Sequence, residues 1–140
     1  MNKLMTTTGG EEWRKVTGYE GIWVSNKGRV FHEGYSYVGN RGGVEHMKYR
    51  KAKILTNSPS GGRGEEKYMM VGFKIGGKAW ATGVHRLMAI AFIKGQFEGA
   101  VVNHKDGNRM NNRLSNLEWL SNGANIKHGY ELRRLNRKRA

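Results

Sequence analysis

Apolar and polar residues alternate over short stretches in the first half of the chain and change to a helical period in the second. "GIWVSNKGRVF" (21–31) reads as a hairpin, with Ile22 to Val24 as one arm, Asn26-Lys27-Gly28 as the turn and Arg29 to Phe31 as the other arm. Asn and Gly accept the positive φ that such turns need. "KYMMVGFKIGGKAWATGV" (67–84) reads as a second hairpin, turning at Gly76-Gly77. From there the period changes. Val84, Leu87, Met88, Ala91 and Phe92 recur at i, i+3, i+4, i+7 and i+8, which predicts one apolar helix face over 84–93. A short strand, Val101–His104, a polar loop, "KDGNRMNNRLS", and a second short strand, Leu117–Leu120, follow. "SNGANIKHG" (121–129) predicts a helix capped by Ser121 or Asn122, with Gly129 as a stop signal.

The remaining segments carry weaker patterns. Residues 1–10 read as a loose tail, 39–53 as a Gly-rich basic stretch, and "NSPSGGRGEE" (57–66) as a flexible loop. Trp13, Trp23, Trp80 and Trp119 are expected to anchor the core. The chain then divides into a tail (1–10), a β-rich region (11–80), a strand–loop–strand–helix region with its preceding helix (81–130) and a basic tail, "ELRRLNRKRA" (131–140). That tail fits either a disordered solubilising end or an arm that contacts phosphates.

Charge narrows the partner. The chain carries 25 Lys+Arg against 11 Asp+Glu, a net charge of +14, which favours a polyanion. No apolar run approaches the ~18 residues of a membrane span, and the basic segments form no clear amphipathic helix, so nucleic acid is expected rather than a membrane. The chain has no cysteine, which excludes disulfides, thiolate zinc sites and cysteine nucleophiles together. A metal would have to be held by His, Asn, Asp, Glu or carbonyl groups, a set that suits a hard cation such as Mg²⁺, with Mn²⁺ the alternative. "MNKLMTTTGG" has no apolar signal core, so a cytoplasmic location is expected.

The stretch "VVNHKDGN" (101–108) concentrates the chemistry. Hydrolysing a phosphodiester requires a base for water and a positive charge for the phosphate and the leaving oxygen. One imidazole meets the first need and one hard cation the second. His104 ends a strand. Asn116, just before the second strand, is placed so that its carbonyl would accept from His104 Nδ1–H and leave Nε2 as the base. A cation between Asn103 and Asn125 would lie near the phosphate.

"VVNHKDGNRMNNRLSNLEWLSNGANIKHG" resembles the HNH nuclease motif, the ββα-metal or His-Me finger, in the branch found in phage and intron homing endonucleases. "VHRLMAIAFI" (84–93) is similar to the helix that precedes the motif there, and "EEWRKVTGYEGIWVSNKGRVF" (11–31) to the small module ahead of it. The resemblance implies an α+β fold: a small N-terminal antiparallel β region, expected to bind DNA, followed by the ββα-metal motif. It implies a metal-dependent DNA endonuclease acting on double-stranded DNA in a host cytoplasm, with His104 as base, Asn116 orienting it, and Asn103 and Asn125 as metal ligands. Asn103 stands where the family often has Asp, and a neutral amide holds a cation more weakly.

Other residues carry open alternatives. Asp106 shapes the Asp-Gly turn or acts on the cation through water. His85 packs structurally or joins the site, and Arg86 beside it reaches a phosphate. His128, at i+3 from Asn125, is a further ligand, a phosphate contact or a helix-end charge. His32 and His46 carry no signal. Lys48, Arg50, Lys51, Lys53, Arg63, Arg109 and Arg113 are expected along the DNA backbone, giving affinity rather than sequence choice. A nicking monomer and a homodimer cutting both strands both fit. A non-catalytic DNA-binding protein on a degenerate HNH scaffold, and a basic RNA-binding protein, are the competing classes.

Overall fold

A computed structural model describes residues 5–7, 9–61 and 66–140. Arg63 and residues 62–65 of the flexible loop expected at 57–66 lie outside the described residues, and Ser58–Ser60 within that loop is a strand instead. The fold is α+β, with short antiparallel strands and two helices.

Seven strands come first: β1 (Met5–Thr7), β2 (Glu11–Lys15), β3 (Ile22–Ser25), β4 (Val30–His32), β5 (Tyr35–Arg41), β6 (Val44–Arg50) and β7 (Lys53–Leu55). Five of them form one sheet in the order β1-β2-β3-β4-β7. The expected hairpin of 21–31 is its centre, with Ile22 opposite His32, Trp23 opposite Phe31 and Val24 opposite Val30. Gly28 takes φ +81° in the turn, a conformation that excludes most side chains. Two segments are more ordered than the sequence suggested. Met5–Thr7 pairs with β2 instead of trailing as a tail. Much of the Gly-rich stretch is the β5–β6 hairpin, whose second arm is exposed throughout.

Three further strands, β8 (Ser58–Ser60), β9 (Tyr68–Ile75) and β10 (Lys78–Gly83), form a second sheet in the order β10-β9-β8. β10 runs straight into α1 (Val84–Phe92), the helix that the apolar period predicts. One buried cluster joins the halves of the chain: Ile22, Val24 and Val30 from the first sheet, Val16 just after β2, Val71 and Phe73 from the second sheet, Val84, Leu87 and Met88 from α1, and Leu117. Trp13 and Trp23 are buried as expected, but Trp80 is 42% exposed, and its edge-to-face contact with Tyr19 is a surface one.

β11 (Val101–His104) and β12 (Leu117–Leu120) form the last hairpin, in the register Val101 opposite Leu120 and His104 opposite Leu117. α2 follows at Asn122 and continues to Arg139. Gly129 is therefore not a stop and residues 131–139 are helical. A lone glycine costs a helix only about 1 kcal/mol, and good helix formers follow it.

Candidate active site

His104 and Asn103 sit at the inner end of β11, each 5% exposed. A strand end this deep needs its polar groups answered, and the loop after it supplies the answers. Asp106 accepts through Oδ1 from Asn108 N (2.8 Å) and Asn116 Nδ2 (2.9 Å), and through Oδ2 from Asn111 Nδ2 (2.7 Å). Asn116 also donates to Asn111 O (2.9 Å) and accepts from Asp106 N (3.0 Å). Partial burial pushes the Asp106 carboxyl up, but these hydrogen bonds outweigh it and hold the group below its usual range. These bonds tie Asp106 into the turn that follows β11.

The folded loop presents Asn112 to the imidazole: His104 Nε2 lies 2.8 Å from Asn112 Oδ1. A carbonyl oxygen only accepts, so Nε2 carries the proton and Nδ1 keeps its lone pair. This corrects the expected arrangement in two ways. The hydrogen bond runs from Nε2 and not Nδ1, and its acceptor is Asn112 and not Asn116. Asn116 is 8% exposed, and its amide is spent on tying the loop that carries Asn112.

Beside Asn103, directly across the hairpin, stands Glu118; Asn103 Nδ2 donates to Glu118 Oε1 at 2.8 Å. α2 begins with no spare residue after β12. Ser121 Oγ caps it by accepting from Ala124 N (3.1 Å), which sets Asn125 in the first turn and His128 one turn on. Asn103, His104, Asp106, Arg109, Asn125 and His128 line one cavity of about 390 Å³. The residues expected to hold a cation and the residue expected to act as base therefore share one space.

A ring cluster backs that space. Tyr68 stacks on His85 with centroids 5.0 Å apart, and His85 lies 5.0 Å from His104. Gly83 makes room for the imidazole of His85. A Cβ there would fall 2.3 Å from Cε1 of that ring. Burial, reinforced by the electrostatic influence of the neighbouring His104 and Arg86, pushes His85 down to about 4, so it is neutral near pH 7. Its Nδ1 is buried without a hydrogen-bond partner among the described residues. His85 is thus packed behind the site and does not line the cavity. Arg109 lies over the Tyr68 ring, 4.8 Å from its centroid, and pairs with Glu66 at 2.8 Å.

The other expected DNA contacts lie elsewhere. Arg86, Arg113, Lys48, Arg50, Lys51 and Lys53 are all exposed and outside the cavity lining, and Lys48 and Arg50 belong to the exposed β6 arm. His32 is a satisfied structural residue: Nδ1 accepts from Gly34 N and Nε2 reaches Lys74 O at 2.9 Å. Asn112, Glu118, Tyr68 and Glu66 were not singled out from the sequence. Only Glu118 had a usable signal, since pairing the two strands end to end sets it opposite Asn103.

Among the described residues no group of three His, Asp or Glu side chains gathers to hold a metal. The donors present are amide oxygens. With its nitrogen committed to Glu118, Asn103 could offer a cation only its carbonyl oxygen, and Asn125 could offer a second. Neutral oxygen donors fit a hard cation that fills its other positions with water and phosphate oxygens.

Two strands, a clasped loop and a capped helix around a buried imidazole make a ββα nuclease motif, and residues 82–126 match the HNH endonuclease family. The chain carries an HNH endonuclease domain and is homologous to the phage homing endonuclease I-HmuI. It is 37% identical to the DNA endonuclease I-HmuI of Bacillus phage SP01 over 84% of this chain and 56% of that protein. It is 29% identical to an uncharacterized HNH endonuclease of Acanthamoeba polyphaga mimivirus, over 84% of this chain and 29% of that one. A solved structure of DNA binding and cleavage by I-HmuI superposes with a TM-score of 0.62 at 34% identity, covering 85% of this chain and 57% of that one. The chain spans about half the length of I-HmuI and less of the mimivirus relative.

Proposed function

We propose that this chain is a metal-dependent DNA endonuclease that hydrolyses phosphodiester bonds in double-stranded DNA in the cytoplasm of a phage host. The observation that carries this reading is the shared cavity: His104, with its Nε2 proton committed to Asn112, opens onto the same space as Asn103 and Asn125. His104 Nδ1 takes the proton of the attacking water. Asn112 holds the ring's orientation and tautomer, and Asn116 holds the loop that carries Asn112. Asn103 and Asn125 would hold the divalent cation, Mg²⁺ or Mn²⁺. Bound there, the cation would supply positive charge to neutralise the phosphate and to stabilise the departing 3′ oxygen. His128 and Arg109 face the same space and contact the phosphate backbone. Once a phosphate approaches, Arg109 exchanges its exposed carboxylate partner, Glu66, for it. Arg86, Arg113, Lys48, Arg50, Lys51 and Lys53 extend the contact along the duplex. The DNA partner is also that of I-HmuI, whose structure concerns DNA binding and cleavage.

The decisive experiment is supercoiled-plasmid cleavage in Mg²⁺ or Mn²⁺, with and without EDTA, for wild type beside His104→Ala. Nicking that needs metal and falls at least a hundredfold in the variant is expected. Nicking that survives the substitution unchanged overturns the assignment. A second reading, DNA binding without cleavage, draws on the uncharged pair Asn103 and Asn125. It predicts salt-sensitive binding and an intact plasmid in every divalent metal.

A further inference from the structure

Glu118 is the carboxylate nearest the proposed cation ligands that the mechanism above leaves without a task. It sits opposite Asn103 in the β11–β12 register, and the two side chains meet at 2.8 Å. The chemistry of this contact has a direction. A carboxylate has only acceptors, whereas an amide has a donor end and an acceptor end. Glu118 therefore accepts only the nitrogen end of Asn103 and rejects the oxygen end. We propose that Glu118 is a positioning residue, which fixes the amide of Asn103 so that its carbonyl oxygen is the end offered to a divalent cation.

The proposal rests on the nuclease reading and deepens it. An asparagine ligand has a weakness that an aspartate lacks. Rotation by about 180° about its last bond replaces a cation-binding oxygen with a cation-repelling NH₂. At a position 5% exposed, water cannot be relied on to choose the correct face. A fixed acceptor on the neighbouring strand makes the choice before the cation arrives. The same negative charge, one residue away from the ligand, returns part of the attraction that the neutral amide gives up. Groups that orient metal ligands in this way are worth roughly 10- to 100-fold in metal affinity.

The test compares wild type, Glu118→Gln and Glu118→Ala in the 140-residue chain. Three quantities are read: Mn²⁺ affinity of the protein–DNA complex by electron paramagnetic resonance, DNA affinity in EDTA, and thermal stability. Glu118→Ala is expected to weaken Mn²⁺ binding by about tenfold or more. DNA affinity in EDTA should be unchanged, and cleavage should recover at high Mn²⁺. Glu118→Gln keeps an acceptor but also adds a donor, so it should fall between the two. If both variants keep wild-type Mn²⁺ affinity, or lose cleavage only in proportion to unfolding, Glu118 is a structural residue and the proposal fails. A wild-type complex that neither cuts DNA nor binds Mn²⁺ overturns the nuclease reading itself, a result separable from failure of the Glu118 assignment alone.

Discussion

The two helices of this molecule are stabilised in opposite ways. α1 has nine residues, no side-chain cap and no acidic residue in its first turn, yet Val84, His85, Leu87, Met88 and Ala89 are buried. Its C-terminal carbonyls are met by other segments: Arg14 Nη1 donates to Ala91 O and Trp119 Nε1 to Ile93 O at 3.0 Å. α2 is twice as long and buries none of its residues. It has a serine cap at its start and Arg137, Lys138 and Arg139 in its last turn, where they complement the helix dipole. α1 is thus held by burial and α2 by local signals. A helix this short does not persist in water by itself, so α1 exists only as part of the core. The site draws on both kinds, with α1 backing His104 through His85 and α2 delivering Asn125.

The contrast can be broken most strongly at Leu87, which is 0% exposed. Leu87→Ala should cost about 2–5 kcal/mol in urea unfolding, through lost burial and the cavity left behind. Leu135→Ala on α2, where the side chain is 49% exposed, should change stability by less than about 0.5 kcal/mol. Equal losses at the two positions would remove the distinction. A smaller effect is expected from the cap. Ser121→Ala should cost about 1 kcal/mol of α2 stability, seen as faster amide exchange at Ala124 with the core unaffected. Gly129→Ala should raise helicity and stabilise α2 by up to about 1 kcal/mol. A Cβ there meets only Arg133 Nη2, at 3.7 Å.

The smallest effect concerns acid. Arg29 pairs with the buried Glu11 carboxylate, and this hydrogen-bonded contact pulls Glu11 down to about 2. A carboxyl whose folded value lies below its unfolded value stabilises the fold above the unfolded value. That contribution is lost as pH falls from about 4.5 towards about 2. Arg29 is half-exposed, so screening keeps the effect small. Stability of wild type should drop over that window, whereas Glu11→Gln should be flatter there. Parallel curves would show that the pair contributes nothing.

The same contrast explains what could be read from the sequence. α1 was legible because burial imposes a 3.6-residue period on Val84, Leu87 and Met88. β3 and β4 were legible because Asn26-Lys27-Gly28 encodes its own turn. Beyond Gly129, α2 carries no apolar period, so a single glycine read as an end. β6 is exposed on both faces, so nothing in its pattern separated strand from loop. Within the site, His104, Asn103 and Asn125 stood out because strand ends and a cap fixed their places. The partner of His104 did not. The loop holds Asn108, Asn111, Asn112 and Asn116, all with the same amide. Only its three-dimensional path, tied by Asp106, decides that Asn112 reaches the ring and Asn116 does not.

The unbroken run of α2 from Asn125 to Arg139 has a metric consequence. At about 1.5 Å per residue, Arg139 stands about 21 Å along the axis from Asn125, roughly six base steps of about 3.4 Å. A coil of the same length would let that span vary. A rod does not, so the helix acts as a ruler that holds its basic end at a constant offset from Asn125.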